Sequence, residues 1–220
     1  MRRYAAVLLD IDGTLVDSND AHAHAWVETF GHHGVKVDFA RVRGMIGMGG
    51  DRVVEEVTGE ARKSSTAKQL GDECAERFMS RWIQTVKPLD RTRDFVRRLQ
   101  GDGYEVVLAS AAHEDALQAL LAIAGIDDLL GERARPPKPE KSKPNPQTIE
   151  VALMRVDADR SRLVMIGDTP YDVLAGRAAR VDVIGFTTGG YDAEGLTGAI
   201  AVYDGPAGVL ARWEDSPLSA

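Results

Sequence analysis

Two carboxylates with one residue between them, Asp10 and Asp12, follow the continuous apolar run Tyr4-Ala5-Ala6-Val7-Leu8-Leu9. Residues i and i+2 of an extended segment point the same way, so both acids can be offered to one small volume. Like charges held this close repel, and the arrangement asks for a cation or a shared proton. Gly13 permits the sharp departure of the chain that leaves the pair at a strand end. A simple hairpin at Asp12-Gly13 fits less well, because Leu15-Val16-Asp17-Ser18 is not a strand of matching length.

Three further stretches carry chemistry at expected strand ends. The run Tyr104 to Ala109 delivers Ser110, then Ala111-Ala112-His113-Glu114, and a hydroxyl beside the N–H groups of a new helix suits phosphate. Ser110 as a plain N-cap is the competing reading. The run Arg162 to Ile166 ends in Gly167-Asp168-Thr169-Pro170-Tyr171-Asp172. Thr169 fits an N-cap, Pro170 the first helical position and Asp172 the third, so a capping box accounts for Asp172. Asp168 has no such reason to be there. With Asp10 and Asp12 it makes an all-oxygen cluster, which suits Mg²⁺. Within Lys138-Pro139-Glu140-Lys141-Ser142-Lys143-Pro144-Asn145-Pro146, Lys143 stands just ahead of a helix start at Asn145-Pro146 and can be aimed at the same place, with Lys138 as the fallback.

The elements that must position these residues alternate. Strand-like runs at 104–109, 162–166, 182–186 and 199–203 are separated by helical stretches near 90–100, 113–124, 146–156 and 170–179, which predicts a parallel sheet with helices on both faces. Helical patterns at 18–34, 50–57 and 67–85 have no convincing strand between them, and Lys87-Pro88-Leu89 reads as a linker. The expected fold class is therefore α/β. A doubly wound parallel-sheet core spans 1–17 and 88–220, with a helical domain, 18–87, inserted after the first strand. Sites in such sheets form beyond the carboxyl ends of the strands. The polar stretch 214–220 reads as a disordered tail.

Composition narrows the partners. A chain of 220 residues with 44% apolar residues buries a sizeable core without staples. A net charge of −7 argues against nucleic acid or an anionic membrane as partner. One cysteine, Cys74, leaves no internal disulfide and no cysteine-based zinc site. No apolar stretch spans a bilayer, and Met1-Arg2-Arg3-Tyr4 runs into the first strand without a signal-peptide core, so a cytoplasmic chain is expected.

The order Asp10-x-Asp12-Gly13-Thr14, Ser110, Lys143-Pro144-x-Pro146 and Gly167-Asp168-x-x-x-Asp172 resembles the four motifs of the haloacid dehalogenase (HAD) superfamily. The resemblance covers the whole chain and implies a Rossmann-like core with an inserted α-helical cap. It implies Asp10 as the nucleophile that becomes a phosphoaspartate and Asp12 as the group that protonates the leaving oxygen and then activates water. It further implies Mg²⁺ held by the Asp10 side chain, the Asp12 backbone carbonyl and Asp168, with Asp172 orienting the lysine or a metal-bound water. Thr14, Ser110 and the Ala111 N–H would bind substrate and Lys143 would neutralise charge. Superfamily members that act on carbon–halogen or phosphonate bonds lack the second aspartate, so Asp12 favours phosphate esters. The cap stretch Gly44-Met45-Ile46-Gly47-Met48-Gly49-Gly50-Asp51-Arg52 looks phosphoglycolate-phosphatase-like. Within the cap as a whole, the resemblance makes His22, Arg43, Gly49 and Arg52 the candidate substrate contacts. The implied function is a Mg²⁺-dependent phosphatase acting on a small phosphorylated metabolite, as a monomer or homodimer. A β-phosphoglucomutase-like phosphotransferase and a non-catalytic phospholigand-binding protein are the alternatives.

Other features have plainer readings. His22 and His24 would lie about 200° apart on a helix, and His32 and His33 are adjacent, so neither pair has metal-ligand spacing on one helix face. The glycines at 47–50 lack a P-loop ending. Trp26, Trp82 and Trp213 read as packing residues.

Overall fold

The computed structural model describes residues 3–219. Met1, Arg2 and Ala220, parts of the expected leader-free start and polar tail, lie outside them. The chain divides into two compact units, residues 1–17 with 87–220, and residues 18–86.

In the first unit, β1 (Ala6–Leu9) is four apolar residues with every side chain buried. Only a strand covered on both faces needs so continuous a run. The chain then forms the short pair β2 (Val16–Asp17) and β3 (Lys87–Pro88), antiparallel to each other. The expected linker at 87–89 is thus partly strand, because its extended Lys-Pro backbone can accept a partner at an edge. After α5 (Thr92–Gly101) come β4 (Glu105–Leu108), α6 (Glu114–Ala124), α7 (Gln147–Leu153), β5 (Leu163–Gly167), α8 (Pro170–Ala179), β6 (Asp182–Phe186), β7 (Ala201–Tyr203) and α9 (Pro206–Ala211). The strands pair in parallel in the order β4-β1-β5-β6-β7. This is an α/β fold, a doubly wound parallel sheet.

Alternation along the strands fills two layers. Ala6, Leu8, Val107, Leu163 and Met165 pack with Ile149 and Ala152 of α7 and with Val173 and Ala175 of α8. Elsewhere in the unit, the Phe95 ring meets Phe186 at 6.1 Å and Trp213 at 6.4 Å.

Residues 214–219 are ordered, contrary to the disordered tail expected from their polarity. Leu218 is fully buried, and its carbonyl accepts a 2.7 Å hydrogen bond from the Tyr104 hydroxyl. One apolar side chain in a polar stretch suffices to anchor it when a cavity receives it.

The second unit contains α1 (Asn19–His32), α2 (Phe39–Arg43), α3 (Gly50–Thr58) and α4 (Ser65–Arg77), followed by single turns to Thr85. The sequence pattern missed the five-residue α2, which is too short to display a helical period. α4 is capped by Ser64, whose hydroxyl accepts from the Ala67 N–H at 3.0 Å. Its core includes Ala25, Trp26, Phe30, Val53, Val54, Leu70 and Phe78. No helix among the described residues is long and apolar enough to cross a membrane.

Leu218→Ala is expected to lower the unfolding free energy by about 2–5 kcal/mol in a urea titration, the cost of emptying a buried leucine site. An unchanged midpoint would show that the C-terminal stretch does not hold the fold.

Candidate active site

Strand register decides which side chains meet. Leu9 pairs with Leu108 on one side and with Ile166 on the other. The three strands therefore end level, and Asp10 emerges between Ala109 and Gly167. This lies where the chain reverses its direction of winding, from β4 on one side of β1 to β5 on the other, the place where open α/β sheets leave a crevice.

Directly after Asp10 the backbone turns tightly. The carbonyl of Ile11 accepts from the N–H groups of Thr14, Leu15 and Val16, and the Gly13 N–H bonds to Val16 at 2.8 Å. Gly13 has φ of 73°, a left-handed conformation that other residues adopt only with strain. The turn carries Thr14 back over the strand end. Its buried hydroxyl lies 3.2 Å from both Asp10 Oδ2 and Asp168 Oδ1. Having one proton, it can donate to only one of them at a time.

Lys143 closes the group. Its buried ammonium is hydrogen bonded to Asp10 Oδ1 and lies 2.7 Å from Asp172 Oδ1. The other oxygen of Asp172 accepts from the Thr169 N–H at 3.0 Å and the Thr169 hydroxyl at 2.7 Å, and with Pro170 this makes the capping box that starts α8. One carboxylate thus caps a helix and pairs with a lysine. Carboxylate oxygens of Asp10, Asp168 and Asp172 all lie within 4.8 Å of one another. The Asp12 carboxylate is outside that trio and half-buried, yet near enough to oppose the charge on Asp10.

The electrostatics follow from this crowding. Burial is the largest reason that Asp10 is pushed up to about 7; Lys143 opposes the rise, and Asp172 and Asp12 add to it. Burial also works against the Lys143 charge, but Asp10 and Asp172 outweigh it and hold the ammonium above its ordinary range. With all three carboxylates ionised, one ammonium would leave two negative charges uncompensated, which a divalent cation would balance.

The site makes room for the acids through absent side chains. A Cβ on Gly189 would stand 2.3 Å from the Asp168 carbonyl oxygen and 2.4 Å from Asp168 Oδ2, and one on Gly167 would stand 2.4 Å from Asp172 Cγ. Thr188, beside Gly189, donates a 2.5 Å hydrogen bond to the Gly13 carbonyl and so joins the loop after β6 to the turn after β1. The all-oxygen donor set, its unbalanced charge and this cradle fit a hard cation such as Mg²⁺. Sequence reasoning missed Thr188 and Gly189. The signal available was a small-residue stretch, Thr187-Thr188-Gly189-Gly190, at the end of another strand of the same sheet.

Ser110 does not cap a helix: α6 begins only at Glu114, and the Ser110 hydroxyl accepts from the Ala112 N–H at 3.1 Å. Residues 110–113 are loop, and α6 follows directly after them. Ala111 lies half-buried in that loop. Lys138 approaches His113 at 2.9 Å. In the second unit the His22 ring stacks on Phe78 at 3.9 Å, and Arg43 pairs with Asp20 at 2.6 Å. The Gly49 carbonyl accepts from the Arg52 N–H at 2.8 Å at the start of α3.

Comparison with known proteins bears on this arrangement. A family profile described as haloacid dehalogenase-like hydrolase matches residues 4–180. Fructose-1-phosphate phosphatase of Escherichia coli is 25% identical over 185 residues, covering 83% of this chain and 96% of that protein. A hydrolase from Pseudomonas syringae superposes with a TM-score of 0.84 at 22% identity, covering 98% of this chain and 100% of that one. A β-phosphoglucomutase from Clostridium difficile gives 0.82 at 17% identity over 98% and 97% of the two chains.

Gly189→Ala is expected to cost about 1–3 kcal/mol of stability, because the added methyl must displace the Asp168 backbone. Equal urea midpoints for the two proteins would show that the loop is not pressed against Asp168.

Proposed function

Because this chain belongs to the haloacid dehalogenase-like hydrolases, we propose that it is a Mg²⁺-dependent phosphatase that hydrolyses a small phosphorylated metabolite through a phosphoaspartate on Asp10. The observation that carries this reading is the buried group in which Lys143 joins Asp10 to Asp172 while Thr14 lies between Asp10 and Asp168. The phosphatase activity named for the Escherichia coli relative supports the same reaction class.

The chemistry follows from charge. A carboxylate attacking a phosphate dianion is opposed by repulsion, and a positive environment lowers that barrier. Mg²⁺, when bound by the Asp10 and Asp168 carboxylates and the Asp12 carbonyl with Asp172 nearby, supplies Lewis-acid charge neutralisation. Lys143 adds a fixed positive charge and, with Thr14, holds the Asp10 carboxylate by both oxygens. An Asp10 oxygen forms the new bond to phosphorus as the ester P–O bond breaks, and Asp12 gives its proton to the departing alkoxide. Water then attacks phosphorus, Asp12 takes up its proton, and phosphate leaves with Asp10 restored. Asp12 thus serves as acid and base in turn. Ser110 and the Ala111 N–H are assigned to the phosphoryl oxygens, and His22, Arg43, Gly49 and Arg52 to the remainder of the substrate.

Likeness to a β-phosphoglucomutase at so low an identity speaks to architecture alone. Conversion of β-glucose 1-phosphate to glucose 6-phosphate with a bisphosphate primer would mark that activity instead, and binding of phosphorylated compounds without turnover would mark a non-catalytic protein.

Phosphate release from para-nitrophenyl phosphate and a panel of phosphorylated metabolites should cease with EDTA and return with Mg²⁺. Asp10→Asn should fold yet lose at least about a thousandfold in kcat, as removal of an attacking group does. Full activity in that variant would overturn the mechanism.

A further inference from the structure

We propose that His32, His33 and Glu73 form a binding site for a borderline divalent transition metal such as Zn²⁺, built entirely from the second unit. Neighbouring residues within a helix point about 100° apart and cannot share a ligand. His33, however, is the C-cap of α1, with φ of −91° and ψ of 13°. The two imidazoles sit edge to face with centroids 5.2 Å apart.

Both turn toward one residue of α4. His32 Nδ1 lies 2.8 Å from Glu73 Oε1, and His33 Nε2 lies 2.8 Å from Glu73 Oε2. One ring nitrogen of each histidine and a carboxylate oxygen of Glu73 all fall within 4.8 Å of one another. Ligand atoms in a tetrahedral zinc site stand about 3.3 Å apart, given bonds of about 2.0–2.1 Å, so small side-chain shifts would bring these onto one ion. Two imidazoles and a carboxylate suit Zn²⁺, Ni²⁺ or Cu²⁺ far better than Mg²⁺. Each ring would bind as the neutral tautomer, with its proton moved to the nitrogen facing away.

The surroundings favour such use. The His32 side chain is 64% exposed, which leaves an approach from water and room for a water as a further ligand. Arg77 donates to Glu73 Oε1 at 3.0 and 2.7 Å and lies 3.7 Å from Glu28, an outer partner that orients the carboxylate. A bound ion would tie the end of α1 to α4.

The test is calorimetric titration of ZnCl₂ into the full chain saturated with Mg²⁺. One saturable Zn²⁺ per chain is expected, weakened by at least about tenfold in His32→Ala and in His33→Ala, since even the loss of an outer contact to a ligand costs that much. The same binding should persist in Asp168→Asn. No saturable binding, binding unchanged in both histidine variants, or binding lost only in Asp168→Asn would each overturn the proposal. In the unaltered chain, one equivalent of ZnCl₂ should shift the ring-nitrogen NMR signals of His32 and His33, and unmoved signals would equally overturn it.

Discussion

A buried ammonium between two buried carboxylates is the contact on which the first unit turns. Lys143 reaches both Asp10 and Asp172, and the three groups are almost wholly removed from water. Ions so placed are costly unless every one has a partner, and removing one member leaves the others stranded. The arrangement still carries excess negative charge once Asp168 is included. Fold and chemistry are coupled there, because the same unbalanced charge that opposes burial would attract a cation.

The surrounding architecture serves that balance. Parallel register brings β1 and β5 to a level end, so residues more than 150 positions apart share a polar volume. Asp172 starts α8 with one oxygen and meets Lys143 with the other, so a helix terminus and the charge cluster are one structure. The loop after β6 approaches so closely that Gly189 has no space for a methyl, and Thr188 ties that loop to the Gly13 turn. A distortion at any of these elements would be transmitted to the acids, since packed interiors do not absorb even a methyl group without shift.

The second unit is organised differently. Its helices meet through an apolar core and through ring stacking, as between His22 and Phe78 and between His24 and Trp82. A polar network of Glu28, Glu73, Arg77, Arg81 and the two adjacent histidines lies at its surface. Ion pairs near the surface add little stability each.

By itself the sequence determined features that depend on short-range spacing. The buried strand at Ala6–Leu9 follows from an unbroken apolar run, the alternation of strand and helix from hydrophobic period, and the capping box from Thr169 and Asp172 standing three apart. The α/β class follows from the alternation alone. Only the tertiary structure decided which remote groups touch. The Thr14 hydroxyl between two carboxylates, the space at Gly189, the Ser110 loop folded on itself, the anchoring of Leu218 and the meeting of His32, His33 and Glu73 have no signature in local spacing. The physical reason is one of range. Period and capping are settled within a few residues of backbone, whereas these contacts exist only after strand register and helix packing have chosen, from many possible neighbours, the few that are close enough to bond.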